Sequence, residues 1–447
     1  MLEIDTLKLN SRINEHAQMH VRATLSGGQE EYDAICKLDD NTPITLIERS
    51  SKKSTDLFTG FAKQLSVRFT HELLRLDVTV VSTTCKLDES TETKRAFQNP
   101  DTTIGELIEA GVGDEICLAG RFTSEAIGTF AVQYKETDWA FLKRMASRVK
   151  TGLVADFLST EPQLNFAEEL SDSFEVDERN LLSIQKSVAN GKSSLSYFYL
   201  IEKGYETGNA KKHDYKIGAK FDGGRVCKSV ETRVEEGMIR YIVELTNSLE
   251  YPMLYNEKLS GVSFKGKVLE NDEDGYKLAQ VKIHLTEFEE EEPNPAKAFD
   301  YATLYATSDQ AGWHFMPEIG DTVMLYFPNE QENNAYCTAS VRVEKLANAD
   351  ITHGDKIIAT PGNKMIQINE DSILIKSNES TSIKMSGEGL SIATDKPLKI
   401  TTDDDLTLEA TNSVIIQSSS TIDLTANGSA IKMSSGIELE GDNVNIG

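Results

Sequence analysis

Between residue 364 and Gly447, apolar and polar positions recur in one small unit: two aliphatic residues flank a polar one, and a polar or glycine-containing turn follows. The pairs are Ile366 with Ile368, Ile373 with Ile375, Ile383 with Met385, Leu390 with Ile392, Leu398 with Ile400, Leu406 with Leu408, Val414 with Ile416, Ile422 with Leu424, Ile431 with Met433, Ile437 with Leu439 and Val444 with Ile446. The steps cluster at eight residues, and from Leu390 to Ile422 every step is eight. Such a triplet places both aliphatics on one face of a strand and the middle residue on the other. A repeat this short buries its apolar face only by stacking on copies of itself. Eight residues fall short of the roughly 20 or more that one chain needs to coil once around its own core. A solenoid with several units per coil and a prism of three chains, each giving one wall, both remain. The prism is preferred, because the preceding segment offers no cap for a solenoid end.

Residues 1 to about 250 read as mixed α and β. Polar and apolar residues alternate in the strands 18–25, 45–47 and 74–80. A short helix is expected over 101–111, with Thr103 and Glu106 in capping-box register and Gly111 at its end. A stronger helix runs from Thr137 to Lys150, with Trp139, Leu142, Met145, Ala146 and Val149 on one face. Lys143, Arg144 and Lys150 fall elsewhere or near its C-terminal end. Residues 255–345 read as a second unit. It has a hairpin of 261–269 with 277–285, a segment 302–306, a strand 322–327 and a last strand 337–343. About five short strands in this length suit a small antiparallel OB barrel. The expected domains are therefore 1–250, 255–345 and a repeat domain, 351–447.

Composition narrows the function. The formal charge of −26 argues against a duplex-binding surface, which needs clustered Lys and Arg, and against adsorption to anionic lipid. The basic run Lys211-Lys212-His213 reads as a solvated loop. The five cysteines are scattered without a CxxC pair, so neither a disulfide framework nor a zinc site is expected. Folding in a reducing cytoplasm fits. The N-terminus lacks a secretory layout, and no run approaches the ~18 apolar residues of a membrane span. No Phe, Tyr, Trp or Cys follows Cys337, which implies a thin core of stacked aliphatics in the repeat.

Candidate chemistry is sparse. HExxH, GxSxG and P-loop motifs are missing from the sequence. His284 and His314 could face Glu318 or Asp321, but Pro317-Glu318-Ile319-Gly320-Asp321 reads better as a turn into a strand. The acidic stretch 271–275 is a hairpin tip that lacks a calcium-loop ligand set. Asp403-Asp404-Asp405 is a solvated corner. No catalytic residue, metal ligand or cofactor site is nominated.

Several segments, in this order, resemble the valine-glycine repeat (VgrG) spike proteins of contractile injection systems and their phage baseplate hub-and-spike relatives. Arg12-Ile13-Asn14-Glu15-His16-Ala17 looks like the first strand of the family's hub. Residues 94–99 followed by the 104–108 helix, and the stretch Tyr134 to Ala146, are similar to further hub segments. Phe315 to Asp321 is similar to a motif of the spike's OB barrel. The repeat departs from the family name in lacking a regular Val-Gly dipeptide. The resemblance implies a mainly β fold with some α: a hub of β-barrels with helices, an OB-fold barrel, and a C-terminal trimeric parallel β-helix, or prism. It further implies a homotrimer whose hub seats the inner tube protein among baseplate proteins, and whose repeat forms a needle that pierces a target cell envelope. The aliphatic pairs from Ile366 to Leu439 would be the needle core. Val444, Asn445, Ile446 and Gly447 would form a tip for a small cap protein of the proline–alanine–alanine–arginine (PAAR) type. Effector cargo is a further partner. Only about 20 residues separate the barrel from the repeat, which leaves no room for the lysozyme-like domain some relatives carry. The expected role is structural and force-bearing, with assembly in the cytoplasm and delivery as part of the particle. The alternative is a trimeric adhesin or tail-fibre-like display rod, and an enzyme ranks third.

Overall fold

The computed structural model describes residues 2–25, 32–33, 35, 37, 41–49, 54–70, 73–111, 117–119, 121–170, 173–189, 192–202, 215–235, 238–249, 251–271, 279–307, 312–342, 351–360, 362 and 364–433. The chain divides into two compact units, Met1–Val343 and Glu344–Gly447.

One large sheet dominates the first unit. Along its main path it runs Leu181–Ala189, Lys192–Glu202, Met238–Thr246, Arg225–Glu235, Leu2–Arg12, Gln18–Leu25, Leu73–Ser82, Ser54–Thr70 and Pro43–Arg49. Every neighbour on that path is antiparallel. Two antiparallel halves, each with one non-sequential neighbour pair, are thus joined where Leu2–Arg12 pairs with Arg225–Glu235, from Thr6↔Glu235 to Arg12↔Ser229. Alternation builds the strands: in Gln18–Leu25, Met19, Val21 and Ala23 are buried while Gln18 and Arg22 are exposed. Each half has its own core, around Phe58, Val78 and Val80 in one and around Tyr199, Phe221 and Leu245 in the other.

Three expected strands lie where alternation placed them, as Gln18–Leu25, Pro43–Arg49 and Leu73–Ser82. The segment Arg12 to Ala17 does not. The first strand is Leu2–Arg12, and residues 13–15 turn, with Asn14 at φ 65°. Asparagine tolerates that left-handed conformation. Its side chain also accepts from the Leu153 N–H at 2.9 Å, which ties the turn to a neighbouring strand.

Helix α1 (Ile104–Gly111) and helix α2 (Asp138–Arg148) pack together in a third core with Leu107, Trp139, Phe141, Leu142 and Met145. The capping box of α1 is formed. Glu106 accepts from the Thr103 N–H at 2.8 Å, and Thr103 Oγ1 accepts from the Glu106 N–H at 3.2 Å. Thr137 caps α2 by accepting from the Ala140 N–H at 3.1 Å.

The barrel sheet is ordered Ala298–Asp300, Gln280–His284, Ser263–Asn271, Thr322–Tyr326, Tyr336–Ser340. Its outer strands meet through a parallel bridge, Tyr301↔Cys337, and the Ala302 N–H donates to the Cys337 carbonyl at 2.8 Å. The third strand is Ala298–Asp300 rather than the expected 302–306, because Tyr301 and Ala302 are already engaged at that seam; Leu304 beyond it is 88% exposed. Phe130 and Val132, far earlier in the chain, complete the barrel core beside Phe264, Phe299 and Phe327. Gly320 (φ 92°) makes the turn into Thr322–Tyr326. Asp321 braces that turn by accepting from the Glu318 N–H at 2.9 Å.

In the second unit, Lys356–Ala359, Met365–Ile368, Ser372–Lys376, Ser382–Ser386 and Gly389–Ala393 form a five-stranded antiparallel meander rather than the parallel strands expected, because the short turns between successive strands reverse the chain. Ile422–Ala426 and Ser429–Met433 pair as a hairpin, turned by Asn427 and Gly428, both at positive φ.

Candidate functional site

The eight-residue step sets the register of the meander, and the register puts the aliphatic pairs side by side. Ile366 lies opposite Ile375 and Ile368 opposite Ile373. Ile373 in turn faces Met385, and Ile375 faces Ile383. Ile383 then faces Ile392, and Met385 faces Leu390. Ile358 joins the row opposite Ile366. The intervening partners, Gln367 with Leu374 and Lys384 with Ser391, occupy the opposite face. One face of the sheet is thus continuously aliphatic.

Among the described residues, nothing covers that face. Exposure is 37% at Ile373 and Ile383, 40% at Met385, 52% at Ile392 and 66% at Leu390. Spacing assigns Leu398, Ile400, Leu406, Leu408, Val414 and Ile416 to a needle core, but the single chain does not bury them. Ile400 is 67% exposed and Ile416 is 64% exposed. The reason is that residues 394–421 carry no assigned strand, so no neighbouring wall within the chain covers either side chain. Leu424 and Ile431 are half-exposed and opposite each other in the hairpin. Ile422 and Met433 form that hairpin's other aliphatic pair. Ile437, Leu439 and the tip residues Val444, Asn445, Ile446 and Gly447 lie outside the described residues, as do Lys211-Lys212-His213 and residues 272–275.

A second feature holds the barrel to α2. Arg144, expected off the buried face, is 2% exposed. Its guanidinium meets Glu136 at 2.6 Å and Glu332 at 2.5 Å and donates to the Val132 carbonyl at 2.7 Å. Arg148, one turn on, meets the other Glu332 oxygen at 3.0 Å and donates to the Phe130 carbonyl at 3.1 Å. Glu332 sits on a short 3-10 turn, Glu332–Asn334, before the last barrel strand. Burial raises the Glu136 carboxyl above its ordinary range, against the pull of Arg144. Arg144 is raised: burial opposes its charge, but Glu332 and Glu136 outweigh it. Arginines one turn apart in a helix with a broad apolar face were the legible signal; the distant Glu332 left none.

The residues considered for chemistry do not converge. His284 bonds the Glu289 carbonyl at 3.1 Å, while the Asp321 carboxylate is taken up by the Glu318 N–H in its own turn. Among the described residues, no group of three or more His, Cys, Asp or Glu side chains could hold a metal ion. Among the same residues no helix is long and apolar enough to cross a membrane.

The described residues thus form a helix-braced antiparallel hub sheet and a five-stranded barrel in one unit, and an aliphatic repeat sheet in the other. Residues 264–341 match the family model of the type VI secretion system/phage-baseplate injector OB domain. The fold is VgrG-type. A PdpA–VgrG complex in its lidless form is similar at TM-score 0.52 and 10% identity, over 87% of this chain and 93% of that one. The half-lidded Francisella PdpA–VgrG complex is similar at TM-score 0.52 and 10% identity, over 87% of this chain and 83% of that one. The E. coli c3393 protein, a type VI secretion component with structural similarity to the T4 tail proteins gp27 and gp5, has TM-score 0.47 and 12% identity. That likeness covers 76% of this chain and 97% of the other. No curated protein matches the chain.

Proposed function

We propose that this chain is the hub and spike of a contractile injection machine, acting as a homotrimer whose repeats wrap into a membrane-puncturing needle. The observation that supports this reading most is the one-sided aliphatic sheet. A contiguous apolar face of half-exposed Ile, Leu and Met is unusual for a monomer and marks an interaction surface. Three copies of such a wall, faces inward, form a prism with no lateral edge. Fully burying each aliphatic contributes about 1.5–3 kcal/mol, so the three-chain layer is strongly favoured over exposed walls. The domains in this reading are a hub over 1–250, a barrel over 255–345 and a needle over 351–447.

In that role the protein does no bond chemistry. Sheath contraction supplies the work, and the needle concentrates it on a small area of envelope. The hub would seat the inner tube and baseplate proteins, and Val444 to Gly447 would present three copies of their aliphatics to a PAAR-type cap. Electron microscopy of the purified full chain tests the needle. With ~4.8 Å per strand step, eleven aliphatic pairs should give a thin rod on the order of 50 Å long. Particles without any rod would exclude the prism.

A further inference from the structure

Where the hub sheet meets α2, four side chains form one hydrogen-bonded chain. His16 lies between the strands Leu2–Arg12 and Gln18–Leu25, Ser82 ends the strand Leu73–Ser82, and Thr84 and Asp88 sit on the 3-10 turn Thr83–Asp88. His16 Nδ1 bonds Thr84 Oγ1 at 2.8 Å, its Nε2 bonds Asp88 Oδ2 at 3.0 Å, and Thr84 Oγ1 bonds Ser82 Oγ at 2.8 Å. Asp88 carries the chain into α2: its other oxygen accepts from the hydroxyl of Thr137, the residue that caps the helix. Trp139, in the first turn of α2, lies against the imidazole with ring centroids 4.2 Å apart.

The chemistry of the partners fixes where the protons are. An ionised carboxylate only accepts, so Nε2 carries the ring proton. In the neutral ring Nδ1 then accepts from the Thr84 hydroxyl, and Thr84 accepts from the Ser82 hydroxyl. A second ring proton reverses this order. Nδ1–H has to donate to Thr84, whose hydroxyl turns to Ser82 and leaves the Ser82 proton without an acceptor. Ser82 and Thr84 are fully buried, and among the described residues the Ser82 hydroxyl has no partner besides Thr84. A buried donor left without a partner is costly. The surrounding groups pull both ways. Asp88 and the face of Trp139 favour a charged ring, but the Asp88 side chain is 43% exposed, which screens the pair. Burial opposes the charge most, Lys143 on α2 and Lys63 on Ser54–Thr70 add to it, and the His16 pKa lies below its ordinary 6.5. Glu15, the neighbouring carboxylate, is engaged with Arg12 at 3.7 Å.

We propose that Ser82, Thr84, His16 and Asp88 form an acid-sensitive latch, which ties the hub sheet to α2 while His16 is neutral and opens when His16 takes up a proton. Because α2 also carries Arg144 and Arg148 onto Glu332, the latch sits on the path from the sheet to the barrel. A histidine whose folded pKa is lowered contributes stability that is full above its unfolded pKa and is lost as pH falls through the folded value. The inference does not depend on the trimer reading.

Hydrogen exchange of the full chain, read by mass spectrometry from about pH 7.5 to about pH 5, tests both halves of the proposal. Exchange at the imidazole C–H gives the His16 midpoint, and amide protection relative to the intrinsic rate at each pH reports the latch. The expected midpoint lies below 6.5, and protection over 82–88 and 138–142 falls several-fold along the same curve. In His16→Gln, which does not titrate in this range, the pH dependence should be lost. In Asp88→Asn, which removes the counter-charge, midpoint and protection loss should move together to lower pH. The parent chain alone decides the first two outcomes, so a variant that fails to fold leaves the proposal testable. A His16 midpoint at or above 6.5, unchanged protection in both segments, or the same pH dependence in His16→Gln overturns it.

Discussion

Glu332 reaches α2 from 188 residues away in sequence and neutralises two arginines one turn apart. Removing one partner from a buried pair leaves an uncompensated charge and costs about 3–5 kcal/mol. Glu332→Ala should therefore lower unfolding stability by about that amount in denaturant titration. A double variant, Arg144→Met with Glu332→Leu, should recover part of it. A single variant as stable as the parent would show that the arginines are solvated. At the repeat, Asp355 accepts from the Thr352 N–H at 2.7 Å, the Gln367 side-chain amide at 2.9 Å and the Thr352 hydroxyl at 2.9 Å. Those donors hold its carboxyl down at about 2, below the ordinary 3.8. A depressed carboxylate contributes stability that is full above its unfolded pKa and is lost as pH falls through its folded pKa. Hydrogen-exchange protection at the start of the meander, taken relative to the intrinsic rate at each pH, should thus fall between about pH 4 and pH 2. In Asp355→Asn that pH dependence should disappear.

The elements differ in how far they could be read. Local signals identified α1, α2, the hub strands tested and the 263–271/280–284 hairpin, because capping and alternation act over a few residues. The box at Thr103 and Glu106 is such a case, and Thr103→Ala should cost about 1 kcal/mol in stability. Readings failed where a distant partner decides the local shape. Asn14 turns because it binds Leu153, the third barrel strand ends early because Tyr301 reaches Cys337, and Arg144 is buried because Glu332 meets it. In the repeat, aliphatic spacing alone implied the shared face, and the register Ile375↔Ile383 realises it. The same spacing continues through Ile400 and Ile416, yet neither is buried within one chain, since spacing marks a face without supplying what covers it. An Ile375→Asp or Leu408→Asp variant puts three charges on one layer of the proposed prism. It should weaken assembly by several kcal/mol, on the order of 2–7 per unpaired polar group. Lys384, on the other face, should tolerate Ala within about 0.5 kcal/mol. Equal thermal stability of the face variants and the parent would remove the buried-pair assignment.

At the scale of the whole molecule, the charge of −26 opposes adsorption to anionic lipid. Vesicles rich in anionic lipid should therefore retain none of it at about 0.15 M salt, where the Debye length is about 8 Å. Among the described residues, the aliphatic face of the repeat is a large apolar surface left to solvent, and the proposed function rests on three chains covering it. Mass in solution asks this most directly. For a chain of 49.5 kDa, light scattering of the purified full-length protein at micromolar concentration should return three times that mass. The same measurement on Ile375→Asp should shift toward the single chain. A monodisperse 49.5 kDa species for the unaltered protein would contradict the account.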